Sequence, residues 1–160
     1  MRSDEEIERA IDRHGDSVLR ACSAYLMSVH DADDAFQNTF IVYARSDKLF
    51  HDEEHCRAWL IRVAINMCKD HLKKKSSCLA SFDETPEIAL PPEDDTVVDR
   101  MEIRKALASI SVDQRAVIVL SVVEGYTVPE IARMLDKPEN TVYSLISRGK
   151  DALKKVLDHD

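Results

Sequence analysis

From Ser111 to Leu157 the apolar positions recur in helical steps through three consecutive segments. Ser111-Val-Asp-Gln114 has the form of a capping box, in which the Ser hydroxyl takes one orphan amide and Gln reaches back. It opens Ala116-Val-Ile-Val-Leu-Ser-Val-Val123, apolar nearly all round, which predicts a buried helix with Gly125 as its stop. Thr127-Val-Pro-Glu130 is a second capping box, and Pro129 falls in the first turn, where its missing amide costs little. Ile131, Met134 and Leu135 form the inward face of that helix. Asp136-Lys-Pro138 breaks the pattern, with Asp136 as the residue that takes left-handed geometry in place of Gly. Pro138 starts the next helix. At ~100° per residue, Val142, Leu145, Ile146, Gly149, Ala152, Leu153 and Val156 fall on one side, and Asn140, Tyr143, Ser144 and Ser147 on the other. This is the layout of a helix-turn-helix, which sets the start of the second helix in a DNA major groove. An ordinary three-helix core fragment has the same spacing.

In the first half, Ile7, Ile11, Val18, Leu19, Cys22, Leu26 and Val29 have helical spacing, with His14-Gly15 a point where the segment can divide in two. Asp31 can cap a second helix, with Asp33 and Asp34 near its positive end and Ala32, Ala35, Phe36, Thr39 and Phe40 as its stripe. A loop of roughly Ser46 to Glu54 leads into a third helix, Cys56 to Lys75. With Arg62 as zero, Asn66, Lys69 and Lys73 lie within roughly 40° of it; Leu60, Val63, Ala64, Met67 and His71 take the far side. Trp59 sits beside the basic row. Between Arg57 and Lys75, six basic residues stand against Asp70 alone, and Lys73, Lys74 and Lys75 suit the helix's negative end. A basic stripe beside an aromatic fits phosphates with a stacked base; a solvated helix face carries the same residues.

No segment reads convincingly as a strand. The pattern predicts an all-α fold of two small helical domains, 1–76 and 97–160, joined by an acidic, Pro-containing linker at 77–96. That linker holds Pro86, Pro91 and Pro92 and six acidic residues with no basic one, a composition that stays extended. It carries most of the excess behind the net charge of −8, so an acidic total does not exclude a nucleic-acid partner. No apolar run approaches the ~20 residues of a membrane span, and the first residues are charged and polar, which predicts a cytoplasmic protein with no membrane partner. Cys22, Cys56, Cys68 and Cys78 have no paired spacing and read as thiols rather than disulfides or metal ligands. His51-Asp-Glu-Glu-His55-Cys56 is not HExxH, since Asp52 takes its second position. No metal, cofactor or catalytic residue is expected: the chain has no Gly-rich phosphate loop and no nucleophile elbow.

Taken together, these segments resemble bacterial RNA polymerase sigma factors of the extracytoplasmic-function group, in the family's order and over nearly the whole chain. Asp31-Ala-Asp-Asp-Ala-Phe-Gln-Asn-Thr-Phe40 resembles the core-binding helix. Arg57-Ala-Trp-Leu-Ile-Arg-Val-Ala-Ile-Asn-Met-Cys-Lys-Asp-His-Leu-Lys-Lys-Lys75 resembles the helix that melts promoters and reads the minus-ten element, and is the most specific match. Leu107 to Leu157 resembles the domain that binds the minus-thirty-five element. The resemblance implies that Asp34, Gln37 and Phe40 dock on the clamp of bacterial core RNA polymerase. Arg57, Trp59, Arg62, Asn66, Lys69, Lys73 and Lys74 would meet minus-ten DNA, while the 46–54 loop captures a flipped base. Lys137, Asn140, Thr141, Tyr143, Ser144, Ser147 and Arg148 would meet the minus-thirty-five element. It also implies an anti-sigma factor as a partner. The chain departs from the family at Tyr143 and Leu145, where basic residues are usual, at Asp136 for the turn Gly, and at Asn38 for a Glu.

The function so expected is promoter-specific initiation by a protein that is monomeric when free. Two other readings fit the residues: a stand-alone dimeric helix-turn-helix regulator, and a sigma-like accessory subunit with weakened minus-thirty-five binding. A dimer would imply a palindromic site.

Overall fold

Ser3 opens the first helix, α1 (Asp4–Leu26): its hydroxyl accepts from the Glu6 amide and the Glu6 carboxylate accepts from the Ser3 amide. In the computed structural model, which describes residues 1–77 and 97–158, α1 runs unbroken through His14 and Gly15. The division anticipated there does not occur, because both residues are buried, and packing against Phe36 outweighs the ~1 kcal/mol that a helical Gly costs. α1 ends at Met27, in left-handed geometry at φ 53°.

α2 (Val29–Arg45) is capped by Ser28, whose hydroxyl accepts from the Asp31 amide. Asp31 therefore lies in the first turn instead of capping it, and Val29 belongs to α2, exposed, rather than to the stripe of α1. α3 (Glu53–Ser77) starts three residues ahead of the expected Cys56, since the Asp52 carboxylate accepts from the His55 amide at 2.8 Å. Its buried face is Leu60, Ile61, Ala64, Ile65 and Cys68. That is rotated from the expected face: Ile61 and Ile65 are inside, while Val63 and Met67 are only half-buried.

The C-terminal helices begin with α4 (Val97–Ala108), which the sequence pattern does not mark. α5 (Val112–Ile118) follows and passes directly into a π-helical turn, Val119–Val123, closed by the Glu124 amide donating to the Val119 carbonyl. Both capping boxes form, at Ser111 and Thr127. The widened turn rotates Val122 and Val123 to the surface, so the apolar run is not buried all round. α6 (Val128–Leu135) buries Ile131, Ala132, Met134 and Leu135, and ends at Asp136 with φ 54°. α7 (Glu139–Asp158) buries Val142 and Gly149 and half-buries Leu145, Ile146, Ala152 and Leu153, whereas Val156 runs past the core.

No strand occurs among the described residues. The fold is all-α with a C-terminal helix-turn-helix, α6–α7. Ser77, the first residue of the expected linker, continues α3, and the rest of that linker, 78–96, lies outside the described residues with Cys78. Cys22, Cys56 and Cys68 are buried free thiols. One cluster of buried side chains runs from Ala10 on α1 to Val142 on α7, so the N- and C-terminal helices share a continuous core.

Candidate nucleic-acid interface

α3 presents Arg62, Asn66 and Lys73 to solvent, with Lys69 half-buried in the same row and Lys74 exposed at its end. Trp59 is wedged at the head of that row. Its ring lies 5.4 Å from that of Phe50 and 6.4 Å from that of Tyr43. Arg2 stacks on Tyr43 with its Cζ 4.2 Å from the ring centroid and donates to the carbonyls of Tyr43 and Lys48. The N-terminus thus braces the 46–52 loop, whose tip carries Leu49 at 89% exposure. The arrangement can offer a stacking surface beside a line of cations.

On α2, Asp34 and Gln37 are exposed, whereas Phe40 is buried against Phe36 and Tyr43. Phe40 can shape that face from beneath but does not reach out from it. On α7, Asn140, Thr141, Tyr143, Ser144, Ser147 and Arg148 are exposed together. Lys137 is half-buried, its Nζ 3.9 Å from Asp113 Oδ2.

Arg57 is placed differently from the rest of the α3 row. Its guanidinium turns toward the C-terminal helices, donating to the Glu124 carboxylate and to the Glu124 carbonyl at 3.1 Å. It also lies 5.0 Å from the Tyr126 ring centroid. The Glu124 carboxylate has no exposed side-chain surface and accepts a second arginine, Arg20, on its other oxygen. Ser17 joins the cluster, its hydroxyl oxygen accepting from both arginines at 3.2 Å. Burial alone would raise the Glu124 carboxyl, but hydrogen bonds from Arg20, Ser17 and Arg57 outweigh it and hold the pKa below the ordinary value. Burial pushes the neighbouring Tyr126 phenol up to about 12. Beside this cluster, Trp59 and Arg62 line a cleft of about 260 Å³ together with Tyr126, Glu130, Arg133 and Met134.

A second junction forms at Arg115, which is 4% exposed. It donates to the Ala24 and Tyr25 carbonyls at the end of α1, and at 3.3 Å to the Leu107 and Ile110 carbonyls. α1 has no basic residue of its own in its last turn, so a cation from α5 satisfies that helix end.

Residues 10–78 match the family model for Sigma-70 region 2, and residues 100–153 that for Sigma-70, region 4. The ECF RNA polymerase sigma factor SigL of Mycobacterium tuberculosis is 31% identical over 151 residues, covering 91% of this chain and 85% of that protein. This chain belongs to the ECF group of RNA polymerase sigma factors. SigM of the same organism is 29% identical over 150 residues, 92% of this chain and 74% of that one. The fold is also that of the sigma factor RpoE solved in complex with the anti-sigma factor NepR from Bartonella quintana. That likeness has a TM-score of 0.80 at 21% identity and covers 98% of this chain and 99% of RpoE.

In this sigma factor, sequence reasoning missed Arg2, Tyr43 and Phe50 as supports of Trp59, and Arg20, Arg115 and Glu124 as the junctions between halves. One signal could have found the last of these. Glu124 lies at the C-terminal end of the π turn, where the macrodipole disfavours its charge. Charges set against the dipole call for partners elsewhere in the fold. Among the described residues, no grouping of His, Cys, Asp and Glu could hold a metal ion, and no helix is long and apolar enough to cross a membrane.

Proposed function

We propose that this sigma factor docks on core RNA polymerase through the exposed Asp34–Gln37 face of α2 and directs initiation at specific promoters. The observation that supports this most is the α3 row Arg62, Asn66, Lys69 and Lys73 headed by a braced Trp59. Such a row binds backbone phosphates while an aromatic and the 46–54 loop hold an unstacked base. Arg57 and Lys74 extend it at either end. In this reading residues 1–76 act as the core- and minus-ten-binding unit, 97–160 as the minus-thirty-five unit and 77–96 as an acidic connector, so the two contacts reinforce each other by effective concentration. The protein brings no catalytic group to the reaction.

The α7 face of Asn140, Thr141, Tyr143, Ser144 and Ser147 meets the minus-thirty-five element. It lacks a cation until Arg148, so with Lys137 as the nearest other charge this unit binds DNA weakly when alone. An anti-sigma factor is the expected inhibitor, by likeness to RpoE, which was solved with one. The free protein is monomeric and works in the cytoplasm with the polymerase.

The test is co-purification with bacterial core RNA polymerase, using Asp34→Lys as the control. Stoichiometric binding lost in the control supports the reading. Binding unchanged in the control moves the contact off α2. No binding, with a dimer by light scattering, favours the stand-alone regulator.

A further inference from the structure

We infer that Glu124 is the hook of a latch that holds this sigma factor closed and masks the head of its own DNA-binding row. The inference rests on the reading of Arg57, Trp59 and Arg62 as minus-ten residues. These three, out of the whole row, face the C-terminal helices: Arg57 is bound to Glu124, and Trp59 and Arg62 line the cleft against Tyr126, Arg133 and Met134. In the closed form a phosphate cannot take Arg57 without displacing the Glu124 carboxylate.

The two halves share a continuous apolar core, and the Glu124 cluster is the polar edge of that junction, where one anion can be exchanged for another. A purely apolar contact would not exchange for DNA. Here the C-terminal half offers Arg57 a carboxylate, an anion as a phosphate is, which accepts one N–H from Arg57 and one from Arg20. The π-helical turn delivers it. By inserting an extra residue before Glu124, the turn sends Val122 and Val123 outward and the carboxylate inward between Arg20 and Arg57. Such turns inside α-helices are frequently functional. Arg20 and Ser17 hold the carboxylate in place from α1, and neither belongs to the DNA row. Arg115, inserted at the end of α1, acts as the hinge side of the same closure. Opening at the Glu124 side frees Arg57 and uncovers Trp59, beside the already exposed Arg62, and leaves the buried carboxylate to find water.

A binding site available only in the open form has its apparent affinity reduced by the open fraction. Weakening the latch should therefore strengthen DNA binding, the reverse of what loss of a salt bridge in a DNA-binding surface would do. Two variants test this in the full-length chain, one on each side of the junction: Glu124→Gln and Arg20→Gln. Trp59, the one tryptophan of the chain, reports on opening through acrylamide quenching. Circular dichroism confirms retained helix content, and a variant that unfolds is replaced by its counterpart across the junction. Binding is read by anisotropy of a fluorescein-labelled single-stranded oligonucleotide of randomised sequence.

Both variants should expose Trp59 and bind the oligonucleotide about tenfold more tightly, while Arg20→Lys should stay closed. Trp59 as shielded in the folded variants as in the wild type would overturn the latch, whatever the protein does at promoters. Exposure of Trp59 with no gain in oligonucleotide affinity would overturn the masking. Initiation by wild-type protein with core polymerase, run in parallel, reports separately on the sigma reading.

Discussion

At the scale of single residues, a few charges do work that their neighbours in the sequence do not announce. Arg115 stands among Ala116, Val117 and Ile118 yet serves carbonyls in α1 and in the 107–110 segment. Replacing it with Met keeps the volume and removes every donor, leaving buried carbonyls orphaned at ~1–3 kcal/mol each where water cannot reach. Arg115→Met should lower stability by about 2–3 kcal/mol in urea unfolding, and a loss below the scatter of the measurement would show that those carbonyls are hydrated instead. Tyr143 presents the opposite case: 59% exposed, it is free to change without structural penalty. Tyr143→Arg should tighten binding of the protein to duplex DNA and steepen the dependence of log K on log salt by about one unit. An unchanged slope would place the side chain away from phosphate. Residue types on exposed helix faces were legible from periodicity, as the grouping of Asn140, Tyr143, Ser144 and Ser147 shows. Arg57 was legible as a cation but not as one half-buried in an ion pair, because its partner Glu124 lies 67 positions away.

At the scale of elements, caps were the most readable feature. The boxes at Ser111 and Thr127 form as their sequences imply, since they depend on residues only three positions apart. Asp136 takes left-handed geometry as expected, at φ 54° and ψ 50°, a conformation that an L side chain resists and Gly does not. Asp136→Gly should therefore raise the thermal midpoint, by up to ~1 kcal/mol in stability; a lower midpoint would mean that the carboxylate itself holds the turn. Gly149 behaves differently although it too is a helical Gly. A Cβ there would lie 2.5 Å from Ile118 Cδ1 and 3.4 Å from Gln114 Cβ. The gain of ~1 kcal/mol normally expected from Gly→Ala in a helix should thus reverse, with Gly149→Ala losing about 1–2 kcal/mol by overpacking between α5 and α7. Where elements were misread, tertiary packing had overridden a local signal: His14-Gly15 is held helical by burial. The π turn could not be read at all, for an apolar run at ordinary helical spacing carries no mark of one added residue.

At the scale of the whole molecule, the all-α class and the helix-turn-helix were visible in the pattern, whereas the closure of the two halves on each other was not. That closure depends on the buried Glu124 carboxylate, which faces Arg20 from α1, Arg57 with its neighbour Glu54 from α3, and Tyr126. Because the folded-state pKa of Glu124 is depressed, its contribution is fully present above the ordinary carboxylate range and is lost as pH falls through the folded value. Trp59 quenching should therefore stay constant from neutrality down to the ordinary carboxylate range and rise only below it. Opening on the alkaline side instead would assign the junction to another group. That this chain gives core polymerase its promoter specificity is tested by reconstitution. Core RNA polymerase with the purified protein is run on a library of genomic fragments, and the starts are mapped. Transcripts should begin at a discrete set of sites, dependent on the added protein and reduced by Arg62→Ala. No protein-dependent start on any fragment, from a protein that still binds the core enzyme, would contradict it.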